Sequence, residues 1–231
     1  FLHCEHYTSR PAHADQLHLD LWWHGQNIAM DAGTYQYNAP QPWENGLAHT
    51  RVHNTVEVDG QDQMTRAGRF LWLDWAQGQE MPSPTANIQI AVHNGYTRLG
   101  VLHRRSVEQL PDQWRVLDEL LPAGVARAHT AHLFRLHWLL PDWDWDLNGQ
   151  TLCLKSAQGT TVEIALREGN NQPLEIQLIR AGKVLKGSQE KVPTLGWYSP
   201  TYGVNLPALS LRASLSAFAP VKLSTRIVLK A

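Results

Sequence analysis

Only two cysteines occur in the 231 residues, Cys4 and Cys153, and neither stands in a paired spacing that would hold zinc or run thiol chemistry. Thiolate metal sites and dithiol redox functions are set aside, while the compartment stays open. No run of about 18 apolar residues is present, so no bilayer-spanning helix is expected. Charge is sparse and scattered: 20 Lys and Arg against 21 Asp and Glu leave a formal net charge of -1. A chain so balanced offers no electrostatic footprint for nucleic acid or for an acidic membrane surface. Internal repeats, low-complexity tracts and linkers are missing too. The opening Phe1-Leu-His-Cys-Glu-His6 has neither an initiating Met nor the basic-then-apolar order of a leader, which reads as a piece of a longer protein.

Helical periodicity is the last absence, since no segment sustains apolar residues at i, i+3, i+4 and i+7. Alternation of apolar and polar residues runs nearly end to end instead. Leu17, Leu19, Leu21 and Trp23 share one face of a first strand, and His24-Gly25-Gln26-Asn27 turns it into Ile28-Ala29-Met30. Val52, Val56 and Val58 point one way, with His53, Thr55, Glu57 and Asp59 pointing the other, before the turn Asp59-Gly60. Residues 70–75, 88–93 and 101–110 read as further strands, the last turning through Pro111-Asp112-Gln113 into 114–118. Alternation resumes over 132–138, 152–154, 162–166, 174–178, 209–215 and 221–229. The expected fold is all-β, an antiparallel multi-stranded β-sandwich forming one domain over 1–231. Two long loops, 34–50 and 187–207, are rich in Pro, Gly, Asn, Tyr and Trp and lack periodicity, which is where function often sits.

Twelve histidines are many for this length, although a lone histidine on a strand is ordinarily a satisfied core or surface residue. His13, Asp31 and His53 stand apart because each lies at or near a strand position that adjacent pairing brings together. Two imidazoles and a carboxylate make a donor set for Zn²⁺, at ligand distances of roughly 2.0–2.2 Å, with a fourth position for water or another group. Separations of about twenty residues match no short metal motif. From composition alone Asp15, His18 and His49 serve equally well.

Three elements in order carry a resemblance: Arg10-Pro-Ala-His-Ala-Asp-Gln-Leu-His-Leu-Asp-Leu21, Asp31-Ala-Gly-Thr-Tyr-Gln-Tyr37 and Val52-His-Asn-Thr-Val-Glu-Val-Asp-Gly60. With His103-Arg-Arg105 and Gly196-Trp-Tyr-Ser-Pro-Thr-Tyr-Gly203, most of the chain resembles the C-terminal β-sandwich of the heparinase II/III-like polysaccharide lyases. The resemblance implies that His13, Asp31 and His53 occupy the positions of a structural zinc site. It also implies a partner N-terminal (α/α)-toroid, an acidic polysaccharide held in the cleft between the two domains, and a periplasmic or secreted location. Lyases of this type act by β-elimination beside a uronic acid. The carboxylate is neutralised, a base takes the C5 proton and an acid protonates the leaving oxygen. In relatives most of that chemistry lies on the toroid. The family's further histidine, two positions before the zinc-binding one in His-x-His-Ala-Asp, is Pro11 here, and proline has no side-chain proton to exchange.

Tyr35, Arg51, His103 and Arg105 are the candidate substrate contacts, since guanidinium groups pair bidentately with carboxylates and a loop tyrosine packs on a sugar ring. Ordinary strand polarity explains them as well. Most of the ten tryptophans read as core by strand parity, and Asp144 with Asp146 read as one solvent face rather than a hydrolase acid/base pair. The expected function is a lyase domain contributing a zinc site and one cleft wall. A non-catalytic carbohydrate-binding or purely structural sandwich is the alternative.

Overall fold

In the computed structural model, which describes residues 1–124 and 130–230, two antiparallel sheets enclose a shared core. The larger has eight strands in the order Asp144–Asn148, Thr151–Lys155, Thr161–Glu168, Val221–Lys230, Gln113–Pro122, Val101–Leu110, Ile88–His93 and Gly78–Met81. The smaller has five, Lys183–Lys186, Glu175–Arg180, Leu209–Phe218, Ala131–Leu140 and Val56–Val58. Alternation explains the packing. Along Val221–Lys230 every second residue is buried, so Val221, Leu223, Ile227 and Leu229 meet Phe134, Leu136 and Trp138 of the facing sheet. The expected sandwich is what forms.

The strands read from long alternating runs hold, including the Ile88–Pro122 meander and its Asp112 turn. The first hairpin is shorter than expected. Only Leu21–Trp23 and Gln26–Ala29 pair, across a two-residue His24-Gly25 turn with both φ positive. Leu17 is no strand residue: its φ is 60°, its side chain is fully buried and its N–H donates to the His3 carbonyl. Tertiary hydrogen bonds from a distant segment override the local alternation there. Likewise Thr50–Val52 is a 3-10 turn, and the strand covers Val56–Val58 alone. His53, Asn54 and Thr55 between them are all buried rather than turned outward, because the sheet edge is covered there by the segment around Gln16 to Leu19. The 70–75 run shrinks to Leu71–Leu73, in which Trp72 is buried and both leucines are exposed. Trp138 is core as expected, whereas Trp22 is 61% exposed.

A polar network crosses the larger sheet's inner face. Strand parity sends His103 and Arg105 inward with Val101 and Val107. Arg105 Nε and Nη2 donate to the two Asp118 carboxylate oxygens at 2.7 and 3.0 Å, and its guanidinium lies 5.5 Å over the Trp138 ring. Gly95 N–H donates to His93 Nδ1, which leaves His93 Nε2–H for His103 Nδ1 at 3.0 Å and His103 Nε2–H for Asp118 Oδ1 at 2.7 Å. Both imidazoles are neutral in that chain of donors. Burial holds the two histidines below their ordinary 6.5. Burial also takes His137 down to about 3. Burial alone would raise Asp118, but Arg105 and His103 bring it down to about 2.

The sign of the pH dependence follows. Below pH 6.5 the unfolded chain binds protons that buried neutral histidines refuse, so stability is complete above 6.5 and falls as pH drops towards 3. Asp118 adds its loss in the same direction, as pH falls from its ordinary 3.8 through about 2. Each pH unit below the onset costs about 1.4 kcal/mol per histidine kept neutral. In chelator-treated protein, melting temperature is expected to fall steeply below about pH 6. A level curve down to pH 5 would show these histidines solvated.

Candidate metal centre

His13, Asp31 and His53 come together: one donor atom from each lies within 4.8 Å of the other two. Three separate pieces of chain deliver them. His13 sits in the irregular segment before the first hairpin, and the Ala14 N–H donates to the Ala48 carbonyl to fasten it there. Asp31 follows the strand Gln26–Ala29, where Met30 N–H pairs with the Leu139 carbonyl. His53 ends the 3-10 turn Thr50–Val52.

Asp31 Oδ1 accepts the Gly33 N–H at 2.6 Å, and Oδ2 faces His53 Nδ1 at 3.1 Å and His18 Nε2 at 3.4 Å. Gly33 has φ 72°, and a Cβ there would stand 2.2 Å from the Ser199 carbonyl oxygen, so only glycine fits the bend after Asp31. The carboxyl keeps 37% of its side chain exposed while His53 is fully buried. Burial favours the neutral acid, yet the charge and hydrogen bond of His53, with His18 and the Gly33 N–H, hold Asp31 well below its usual range. Burial pulls His53 down and the Asp31 carboxylate outweighs it, so His53 is raised. Burial, with His53 adding, lowers His13. The His13 and His53 rings lie 5.3 Å apart between centroids, and His13 Nε2 is 3.2 Å from Thr34 Oγ1.

Three residues around the trio escaped the sequence reading or were weighed there only as substitutes. His18 accepts the Asn54 N–H at Nδ1, 3.0 Å away, so its proton sits on Nε2 and points at Asp31. That makes it a group orienting the carboxylate, since an imidazole accepting at one nitrogen and protonated at the other has no lone pair left for a metal. His137 Nδ1 lies 3.0 Å from the His53 carbonyl, with Nε2 2.7 Å from Ser210 Oγ. Asn54 donates through Nδ2 to the Leu19 and Met30 carbonyls, both 2.9 Å, and accepts the Leu139 N–H at 2.6 Å. Strand parity puts His137 on the face opposite Phe134, Leu136 and Trp138, so its burial is not legible locally, and nothing local marks Asn54.

Of the other substitutes, His49 is engaged by Asp62 at 2.7 Å and Asp15 faces His3 at 3.4 Å. Tyr35 is half-buried against Trp43, with rings 5.5 Å apart. Arg51 is 39% exposed, with Nε 3.9 Å from Glu57. His103 and Arg105 are corrected: both are fully buried on the network above, a position from which no glycan can be touched. Pro11 is buried, while His6 and Arg10 nearby are exposed.

A buried His53 Nε2 has no hydrogen-bond partner among the described residues, nor has His18 Nε2 within hydrogen-bonding geometry. His53 Nε2, an unpaired imidazole nitrogen close to the Asp31 carboxylate, is the donor chemistry of a borderline cation, whereas the protonated His18 Nε2 is not; His13, Asp31 and His53 fit a zinc ion.

A protein-family model described as heparinase II/III-like, C-terminal, matches residues 2–227. A heparin-sulfate lyase of Bacteroides stercoris is 24% identical over 180 residues, which are 76% of this chain and 22% of that protein. Among solved structures, heparan sulfate lyase HepC from Pedobacter heparinus superposes with a TM-score of 0.70 at 16% identity, covering 95% of this chain and 31% of that one. A heparinase III gene product gives a TM-score of 0.69 at 18% identity, over 94% of this chain and 30% of the other. The chain thus spans under a third of the length of these relatives.

Proposed function

The chain belongs to the heparinase II/III-like C-terminal family, and from that premise we propose that it is the sandwich domain of a polysaccharide lyase acting on uronic-acid-containing glycans by β-elimination. In this reading it contributes a structural zinc site and one wall of the cleft, and an N-terminal (α/α)-toroid forms the other. The convergence of His13, Asp31 and His53, separated in sequence by a hairpin and a long loop, is the observation that carries it. His13, Asp31 and His53 would hold the ion, which when bound pins three irregular segments at the sheet edge. His18 would orient the Asp31 carboxylate, and His137 would fix the His53 backbone.

On the wall itself, Arg51 and Tyr35 belong to the same loop cluster as the metal residues and keep exposed surface, so they are the groups this domain offers to a substrate carboxylate and sugar ring. With Pro11 in place of the family histidine, the C5 proton and the leaving oxygen are served from the other wall. Pro11 also supports a second reading, a non-catalytic carbohydrate-binding sandwich. An unsaturated uronate product released by the longer protein from an acidic polysaccharide separates the two.

Metal analysis tests the site. Purified chain is expected to carry about one zinc ion, and its removal by a chelator to lower the melting temperature by about 10 °C. His13→Ala and His53→Ala are expected to lose the ion and most of that chelator response. A chain without metal, indifferent to chelation and to added zinc, would overturn the zinc reading.

A further inference from the structure

The outer face of the eight-stranded sheet carries a trough of about 530 Å³ on the side away from the metal centre. Arg105, inward on Val101–Leu110, reaches the Asn54 carbonyl beside His53, so Ser106 and Glu108 on the same strand face the opposite way. Register builds the trough. Ser106 pairs with Leu117, Leu117 with Ser224 and Ser224 with Arg167, giving one row across four strands. The neighbouring row is Glu108, Arg115, Arg226 and Ala165. Small side chains at Ser106, Ser224 and Ala165 leave the floor low, and Ile88 with Ile90 closes one end.

Charge on this face is uneven. Arg115 and Arg226 stand directly opposite one another in the ladder, an arrangement that costs stability unless anions offset it. Glu108 lies 3.5 Å from Arg115 and Glu163 lies 2.6 Å from Arg226, while exposed Arg167 makes no ion pair among the described residues. On the next row Glu119 is shared between Arg104 at 2.5 Å and Lys222 at 3.5 Å. Cations therefore outnumber carboxylates here, in a chain whose net charge is -1. Arg167, Arg226 and Arg115 occupy three successive strands about 4.8 Å apart, a ladder of guanidinium groups along an open floor.

We infer that this trough is a second, non-catalytic site that binds a linear acidic glycan, its carboxylate or sulfate groups pairing with Arg115, Arg167 and Arg226. The polymer class rests on the proposed lyase function, whereas the site itself rests on the register and charge of the sheet. Guanidinium groups suit it because each presents two parallel donors to an oxyanion. Spare positive charge on a low, open floor, with no closed pocket, fits a repeating polymer that lies across the sheet.

Calorimetric titration of the chain with a heparin-derived octasaccharide, a polyuronate of the same length and neutral dextran tests this. Both acidic probes are expected to bind with salt-sensitive affinity and dextran not at all. The triple variant Arg115→Gln/Arg167→Gln/Arg226→Gln is expected to bind at least about tenfold more weakly. A variant with equal charge loss elsewhere, Arg180→Gln/Lys183→Gln/Lys186→Gln, is expected to match the parent. Undiminished binding by the trough variant, or equal weakening in both variants, overturns the site. A chain that binds neither acidic probe also overturns it and leaves the face to another protein surface. Bound zinc, measured in the same samples, reports on the metal reading independently.

Discussion

Asp118→Ala is expected to cost about 3–5 kcal/mol of stability, which corresponds to a drop in melting temperature of roughly 10–15 °C for a domain of this size. Truncation leaves Arg105 charged and fully buried with its bidentate partner gone, and strands the His103 Nε2–H as well. Removing one member of a buried pair costs more than the pair contributes, because the remaining charge stays out of water. The network allows a sharper comparison. Arg105 Nη1 also donates to the Leu17 carbonyl at 2.7 Å and to the Asn54 carbonyl. The apolar double replacement Arg105→Met/Asp118→Leu is therefore expected to stay well below the parent, although such swaps of an isolated buried pair are often neutral. Urea denaturation of both variants decides it. A loss under about 1 kcal/mol in Asp118→Ala would mean that water reaches Arg105.

The parts of this fold that a reader can take from the sequence are those where one side of a strand meets the core and the other meets solvent. Leu209–Phe218 and Val221–Lys230 are of that kind, and their alternation survives intact. Leu17 shows where the rule stops. Its neighbours alternate, but the hydrogen bond of its N–H to His3 and of its carbonyl to Arg105 set a backbone with positive φ that no local pattern encodes. His103 and Arg105 failed as substrate contacts for a related reason. Parity put them inward with Val101 and Val107, and their polarity outweighed that signal although Asp118, also inward, was available as a partner.

The convergence of His13, Asp31 and His53 was legible as three motifs in order, never as a spacing, because the three residues are joined through loops. Gly33 explains part of one motif: the bend after Asp31 passes so close to Ser199 that no side chain fits. His18 was weighed only as a substitute and His137 was not singled out, because each is defined by a partner far away in sequence, Asn54 in one case and Ser210 in the other. The loops 34–50 and 187–207 do meet, with the Gly203 N–H on the Tyr35 carbonyl and Trp43 against Trp197. Composition marked them as loops where function often sits, but only tertiary contact brings them together beside His13, Asp31 and His53.

Asn54→Ala is expected to be as damaging as the loss of Asp118, at about 3–5 kcal/mol, and to weaken metal binding besides. One buried amide satisfies three backbone groups, the Leu19 and Met30 carbonyls and the Leu139 N–H. Each left unpaired out of water costs about 1–3 kcal/mol, and partial hydration of the new cavity recovers some of the sum. Geometry carries the effect to the metal. Met30 precedes Asp31 and Asn54 follows His53, so a single side-chain bond ties the residue beside one proposed ligand to the residue beside another. With that tie gone, zinc affinity measured by chelator competition is expected to fall about 10–100-fold, the range found when groups that orient ligands are removed. Asn54→Asp provides the contrast. It keeps the size and an acceptor for Leu139 N–H, but turns a carboxylate oxygen towards two carbonyl oxygens, so it is expected to be no more stable than Asn54→Ala. An Asn54→Asp protein as stable as the parent would show that the amide's donors are dispensable, and with them this account of how the sheet edge holds the metal residues in place.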